Sequence, residues 1–282
     1  MITTDDIAQM PATNGIYIFW HKKKPIYVGK AVNLKARLIS HLRASQINAK
    51  EAKIVQTADA ITIKKTPSDF DAVILEAHLI RKYKPHYNVV WNDDKSFLYI
   101  KISDYEKYPK ISLVRRENNT KATYFGPFKS SKTARTILSS IRRSVPFCTQ
   151  KKITGFRCFY SKIGLCNPCP NSIEKCTSPD EKKKLMATYK RNIRRVKSIL
   201  RGNARAILQH MRTQLSVLSR GEKYEEAIAL RSAYQALETL TTRSFADLDR
   251  SEYHFEQNVA DELKTFFTTY FPDFCIPQRT VF

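Results

Sequence analysis

Hydrophobic and polar positions begin to alternate at residue 15, where Ile16 and Ile18 fall on one side of an extended chain and Tyr17 on the other. After "HKKKP" the alternation resumes, with Ile26 and Val28 set against Tyr27. The runs 15–20 and 25–29 therefore predict a β-hairpin. With the isoleucines on a core, both phenols would emerge together on the opposite face. The period then lengthens: Leu34, Leu38 and Leu42 recur at four-residue steps and predict a helix, "AKIVQTADA" a shorter one, and "ITIKK" a strand. Ser68, which follows Pro67 and has Asp71 three residues on, reads as the N-cap of a helix that ends before Pro85.

Farther along, "FLYIKI" and "KISLVRR" read as strands, "YFGPF" follows them, and "SSKTARTILSSIRRSV" reads as a helix. Residues 180–242 are helical in pattern, and one amphipathic stretch, "VADELKTFFTTYF", lies beyond them. The expected class is α+β: a small antiparallel sheet flanked by helices over residues 1–92, a mixed cysteine-bearing region over 93–180, a basic helix and helical hairpin over 181–242, and a tail over 243–282.

Charge narrows the function. The 282 residues carry 49 Lys+Arg against 26 Asp+Glu, a net +23 that favours a polyanionic partner, because each cation that neutralises a phosphate releases condensed counterions. No apolar run approaches the roughly 18–20 residues of a membrane span. The start, "ITTDDIAQMP", lacks a basic segment and hydrophobic signal core, so no membrane association and a cytoplasmic protein are expected.

Chemistry gathers around the hairpin. Gly29 ends the second run where a missing side chain would let a phosphate or another backbone come close, and Lys30 follows it. Asn33, Arg37 and His41 form a polar row at four-residue steps beside the leucine stripe. Glu76 has Ala72, Val73, Leu79 and Ile80 as helical neighbours, so its carboxylate sits on a stripe that calls for burial. Buried carboxylates are paired, which leaves a salt bridge or a bound cation.

"GIY", nine intervening residues, "YVG", then Lys30, Arg37, Glu76 in "VILEAHLI" and Asn88 in "KPHYNV" closely resemble the GIY-YIG nuclease domain of the UvrC family of bacterial excision repair. The resemblance implies a Mg²⁺-dependent (or Mn²⁺-dependent) phosphodiester hydrolase that makes one nick on the 3′ side of a lesion. In that family Tyr27 would be the general base with Tyr17 assisting, Arg37 would stabilise charge on the phosphate, Glu76 would hold the metal, and Lys30 and Asn88 would support the site. His41 stands where some relatives carry a tyrosine. A phenol, with a pKa near 10, needs neighbouring cations to act as a base at neutral pH, and Lys30, Arg37 and the metal would provide them.

Cys148, Cys158, Cys166 and Cys169 are spaced C-x9-C-x7-C-x2-C, which suits a tetrahedral Zn²⁺ or an iron–sulfur cluster without separating the two. The UvrC resemblance implies a 4Fe-4S cluster, with Cys176 as an alternative fourth ligand. Between Glu181 and Arg205 ten cations face one acid, which predicts sequence-independent contact with the DNA backbone. "GEKYEEAIALRSAYQALETL" places Tyr224, Ala227, Leu230, Tyr234 and Leu237 at three- and four-residue steps, and with "ILQHMRTQLSVL" it resembles the UVR hairpin by which UvrC engages a UvrB-type helicase subunit.

The expected protein is a monomeric excision-repair endonuclease acting on damaged double-stranded DNA. A short form is expected, without the RNase H-like and helix-hairpin-helix domains of longer UvrC chains, either as a naturally short paralogue or as the front half of a longer chain. One rival is a catalytically silent adaptor that holds DNA and UvrB. Another is a mobile-element or restriction enzyme of the same fold, for which neither the cysteines nor the hairpin would be needed.

Overall fold

The computed structural model describes residues 7–89, 97–150 and 152–245. The predicted stretch "VADELKTFFTTYF" and Cys275 lie outside them. The predicted hairpin forms from β1 (Gly15–His21) and β2 (Lys24–Ala31). Its turn is made by Lys22 and Lys23, both at positive φ (46° and 63°), the conformation that matches the twist of a two-residue hairpin loop.

Helices α1 (Leu34–Ala44) and α2 (Ala49–Thr57) follow, and then β3 (Ala60–Lys65) pairs with β1 to complete an antiparallel sheet in the order β2-β1-β3. Asn33 caps α1 by accepting from the Ala36 amide at 2.9 Å, so it lies at the helix entrance and not on the polar row. Helix α3 (Asp69–Tyr83) starts at the predicted cap, where the Ser68 hydroxyl accepts from the Asp71 amide at 3.1 Å. It stops at Lys84, which is left-handed, just before Pro85. The short α4 (His86–Val89) closes this unit.

A second antiparallel sheet, ordered β5-β4-β6, is built from β4 (Leu98–Ile102), β5 (Ile111–Val114) and β6 (Thr123–Phe128) and is backed by α5 (Ser131–Ser144). Short helices α6 (Phe159–Lys162) and α7 (Pro170–Lys175) carry the cysteine loop. Three longer helices end the described chain: α8 (Pro179–Leu200), α9 (Ala204–Arg220) and α10 (Tyr224–Thr242). No helix among the described residues is long and apolar enough to cross a membrane.

The tyrosines and isoleucines do part to opposite faces of the first sheet, but both faces are covered. Ile16, Ile18 and Val28 pack on Ala72 and Ile80 of α3, whereas Tyr17, Phe19 and Tyr27 pack with Leu34 and Leu38 of α1 and Ile54 of α2. The phenols are thus buried, at 1% exposure for Tyr17 and 7% for Tyr27. Ile26 departs from the simple alternation and joins the tyrosine cluster. The cause is a register shift after Phe19: Tyr27 pairs with Phe19 but Pro25 with Trp20, so Ile26 is the extra residue.

Helix α3 is apolar nearly all round because it serves two cores. Ala72 and Ile80 face the first sheet, while Phe70, Val73, Ile74 and Ala77 belong to the cluster of the second sheet and α5. Glu76 lies on the seam between them.

Candidate active site and cysteine centre

A cleft of about 430 Å³ opens on that seam, lined by Tyr17, Tyr27, Lys30, Arg37 and Glu76 of the first unit and by residues 127–130 and Thr133 of the second. Five of the seven residues expected from the sequence share it. His41 and Asn88 stand behind the wall. Asn88 braces β2: its carboxamide oxygen accepts from the Val28 amide and its NH₂ donates to the Val28 carbonyl, each at 2.8 Å. The strand is thereby clamped midway between Tyr27 and Gly29, and Asn88 acts on backbone and not within the cleft.

Both glycines of the paired triplets are explained by close approach. A Cβ on Gly15 would lie 2.5 Å from the Lys64 carbonyl oxygen and 2.8 Å from Leu34. A Cβ on Gly29, which is paired with Tyr17 across the hairpin, would lie 2.3 Å from both Cζ and the hydroxyl of Tyr17. The space expected to admit a phosphate or another backbone is occupied by the side chain of the first tyrosine.

Behind the phenols runs a relay. The buried Tyr17 hydroxyl is 2.7 Å from His41 Nε2, and His41 Nδ1 makes a short contact with the Glu51 carboxylate. Burial pushes the Tyr17 phenol well above its ordinary range, and the nearby Tyr27 adds to this against the pull of Arg37. Burial also lowers the His41 pKa, with Glu51 opposing. The carboxyl of Glu51 is raised by burial, but the His41 hydrogen bond and neighbouring cations outweigh this and leave it below its usual value. At neutral pH the imidazole is neutral, so Nδ1–H donates to Glu51 and Nε2 accepts from Tyr17. The Arg37 Nε–H donates to the same phenol oxygen at 3.3 Å.

Lys30 reaches Asp69 at 3.2 Å, and the other oxygen of Asp69 accepts from the Phe245 amide at 2.6 Å. Glu76, 6% exposed, is paired with Lys129 of the second unit at 2.7 Å, which realises the salt-bridge alternative. The Lys129 ammonium also lies 5.6 Å from the centre of the Tyr27 ring. Sequence reasoning missed Glu51, Asp69 and Lys129. Glu51 sits beside Asn48, which caps α2, and reads there as an ordinary acid of a helix first turn; Lys129 is 53 residues from its partner, and no local pattern signals either contact.

A divalent cation fits this donor set. A nearly buried carboxylate at the wall of an open cleft could serve Mg²⁺, which takes one carboxylate and completes its shell with water and phosphate oxygens, in competition with the Lys129 ammonium now paired to Glu76.

The cysteine loop closes on itself as expected. The sulfurs of Cys158, Cys166 and Cys169 lie within 4.8 Å of one another, all buried, and hydrogen bonding from Cys166 pulls the buried Cys148 down to about 6. Cys169 is therefore part of the group, whereas Cys176 turns away toward the Ser178 carbonyl at 3.6 Å. Three mutually close buried thiols, with the buried Cys148 joined to them through Cys166 and with Cys148 and Cys169 both inclined to ionise, suit a thiolate-held metal or cluster.

Of the ten cations on and after α8, Lys182 is tied to Glu174, Lys197 to Asp104, and Arg205 approaches Asp71 at 4.0 Å. Lys183, Lys184, Lys190, Arg191, Arg194 and Arg201 remain exposed. In the hairpin, Leu237 and Leu240 of α10 are buried at the base, while Val217, Tyr224 and Ile228 are 63–66% exposed toward its tip.

Residues 13–89 match the UvrC-like GIY-YIG domain, and residues 97–199 the UvrC/Cho excinuclease middle domain. The UvrABC system protein C of Nitratidesulfovibrio vulgaris is 32% identical over 251 residues, which are 86% of this chain and 35% of that one. Its counterpart in Methanosphaera stadtmanae is 33% identical over 233 residues, 81% of this chain and 36% of the relative. The magnesium-bound GIY-YIG N-terminal endonuclease domain of Thermotoga maritima UvrC is 41% identical, covers 30% of this chain and 93% of its own, and superposes with a TM-score of 0.29. The chain spans about a third to just under half of the length of the curated relatives it matches. Two consecutive domain matches, together with relatives aligned over more than four-fifths of its length, place this chain in the UvrC family.

Proposed function

We propose that the chain is an excision-repair endonuclease that makes a single Mg²⁺-dependent nick on the 3′ side of a lesion in double-stranded DNA, working with a UvrB-type helicase subunit. The observation that carries this reading is the convergence of two tyrosines, Lys30, Arg37 and a buried carboxylate on one cleft. In this reading Tyr27, entering the step as the phenolate, accepts a proton from the attacking water and ends as the neutral phenol. Arg37, oriented by the Tyr17 oxygen, opposes charge developing on the scissile phosphate. Lys30 adds positive potential from its anchor on Asp69. Glu76 would hold the Mg²⁺, which supplies Lewis-acid polarisation of the phosphate when bound.

Residues 1–92 would form the nuclease unit and 93–180 a DNA-binding unit. Cys148, Cys158, Cys166 and Cys169 would hold a 4Fe-4S cluster, with Zn²⁺ as the alternative. Residues 181–242 would contribute a backbone-binding helix and the UvrB-binding hairpin, whose exposed tip supports that role. Strand-specific nicking of an end-labelled damaged duplex, with and without UvrB, tests the proposal. Failure of the metal-loaded protein to nick under any divalent cation would favour the silent adaptor, to which the Glu76–Lys129 pair lends its support.

That pair yields a quantitative expectation. Lys129 and a divalent cation compete for one carboxylate, so Lys129→Met should raise the affinity of DNA-free protein for Mn²⁺ by about tenfold, the scale of one charge-assisted contact. Titration calorimetry reads this directly, and an unchanged affinity refutes the competition.

The relay yields another. Nicking should fall on the acid side as His41 gains a proton and ceases to accept from Tyr17, at a pH below the ordinary histidine range because burial depresses its pKa. The groups facing His41 are Tyr17, Tyr27, Arg37, Glu51 and Lys129, and among these Glu51 stabilises the imidazolium. Glu51→Gln should therefore move the acid limb to still lower pH and leave the plateau within a few-fold. A limb that stays put or moves up contradicts the relay.

A further inference from the structure

The loop around the cysteines displays aromatic rings to solvent. Phe156 is 74% exposed, Phe159 67% and Tyr160 37%, although large apolar side chains ordinarily seek burial. The loop beneath them is held firmly. Cys158 is buried at the start of α6, and the buried Asn171 carboxamide accepts from the amides of Thr154 and Gly155 at 2.8 and 2.9 Å. The rings are thus presented from a pinned backbone.

Cations accompany them. Lys175 lies 4.7 Å from the centre of the Phe156 ring. Arg142 is stacked between Phe147 and Tyr160 at 4.7 and 4.1 Å, and its Nε is buried without a hydrogen-bond partner. Arg157 is exposed between the two phenylalanines, and no Asp or Glu occurs from Cys148 to Ile173.

We infer that Phe156 and Phe159 form a stacking platform for unpaired nucleobases, with Arg157 and Lys175 receiving the sugar-phosphate backbone and the buried Arg142 bracing Tyr160 beneath. An apolar protein partner would require neither the accompanying cations nor the absence of acids, whereas unstacked nucleic acid presents flat apolar faces beside phosphates and matches both features. The inference rests on the reading of this chain as a DNA enzyme and extends it: the protein recognises an opened or distorted duplex directly, through its bases.

The test uses the full chain with its cysteine centre loaded, and measures fluorescence anisotropy on single-stranded DNA, on a duplex with a central unpaired bubble, and on the same duplex fully paired. The parent should prefer the bubble. Phe156→Ala and Phe159→Ala should each lower affinity for bubble and single strand by about tenfold, with the paired duplex changed less than twofold because phosphate contacts carry it. Both positions are surface-exposed, and substitution by Trp should restore bubble affinity. The platform is overturned if the alanine variants bind the bubble like the parent, if they lose bubble and paired duplex equally, or if they lose only binding to UvrB. Nicking is not among the readouts, so a protein that stacks bases but cuts nothing would retain the platform and lose the nuclease reading.

Discussion

Glu76→Gln should abolish nicking of damaged duplex while leaving the protein folded and bound to DNA. The carboxamide keeps the size of the side chain and an acceptor for Lys129, so the seam between the two sheets stays packed; what disappears is the formal charge that would hold a divalent cation. Removing several kcal/mol of metal-derived stabilisation corresponds to a rate loss of about three orders of magnitude. The measurement is single-turnover nicking alongside a DNA-binding isotherm and a thermal melt. A variant that cuts within a few-fold of the parent would show that this carboxylate is a structural partner of Lys129 only. Lys129→Met separates the two roles, because it breaks the same ion pair while keeping the charge on Glu76.

Gly29→Ala should have the next largest effect, through shape alone. The added carbon would sit 2.3 Å from the Tyr17 ring and hydroxyl, far inside van der Waals contact, and Tyr17 is 1% exposed with Phe19, Tyr27 and His41 packed around it. The ring has nowhere to go. Overpacking of this kind costs about 1–3 kcal/mol, and displacement of the phenol also breaks its contacts with His41 and Arg37. The expected result is a lower melting temperature together with a loss of nicking of about a hundredfold. Had the missing side chain served only to admit a phosphate, the same substitution would weaken DNA binding at unchanged stability. Melting and binding measured side by side distinguish these outcomes.

The comparison between Tyr17 and Lys129 shows where local pattern is informative. Alternation placed Tyr17 and Tyr27 on one face, because a strand leaves side chains only two directions; the caps at Ser68 and before Pro85 were equally local. Burial was misjudged: a three-stranded sheet covered by helices on both sides has no solvent face at its centre, and although the Leu34, Leu38 and Leu42 stripe announced a helix just after the hairpin, periodicity alone did not say that its apolar face would fold back over the tyrosines. Cys169 was legible from spacing, since thiols on a short loop can converge only if the chain folds back on itself. Asn88 was singled out by the sequence, but its contact with the backbone of β2 was not legible, because a carboxamide bonded to both backbone groups of Val28 mimics a neighbouring strand and needs the packed position of α4 to do so.

Residue order alone determined the elements, the hairpin with its paired triplets, the positive field and the clustering of the cysteines, for these follow from periodicity, charge and spacing along one stretch of chain. Tertiary structure decided that Gly29 shelters Tyr17, that Glu51 stands behind His41, that Asp69 links Lys30 to the end of the hairpin region, and that the second sheet delivers Lys129 to Glu76. The physical reason is that these contacts join different elements whose approach is set by the pairing of β1 with β2, by α1, α2 and α3 packing on the first sheet, and by the second sheet packing on α3. That approach is the outcome of burying apolar surface on both faces at once, and no single segment encodes it.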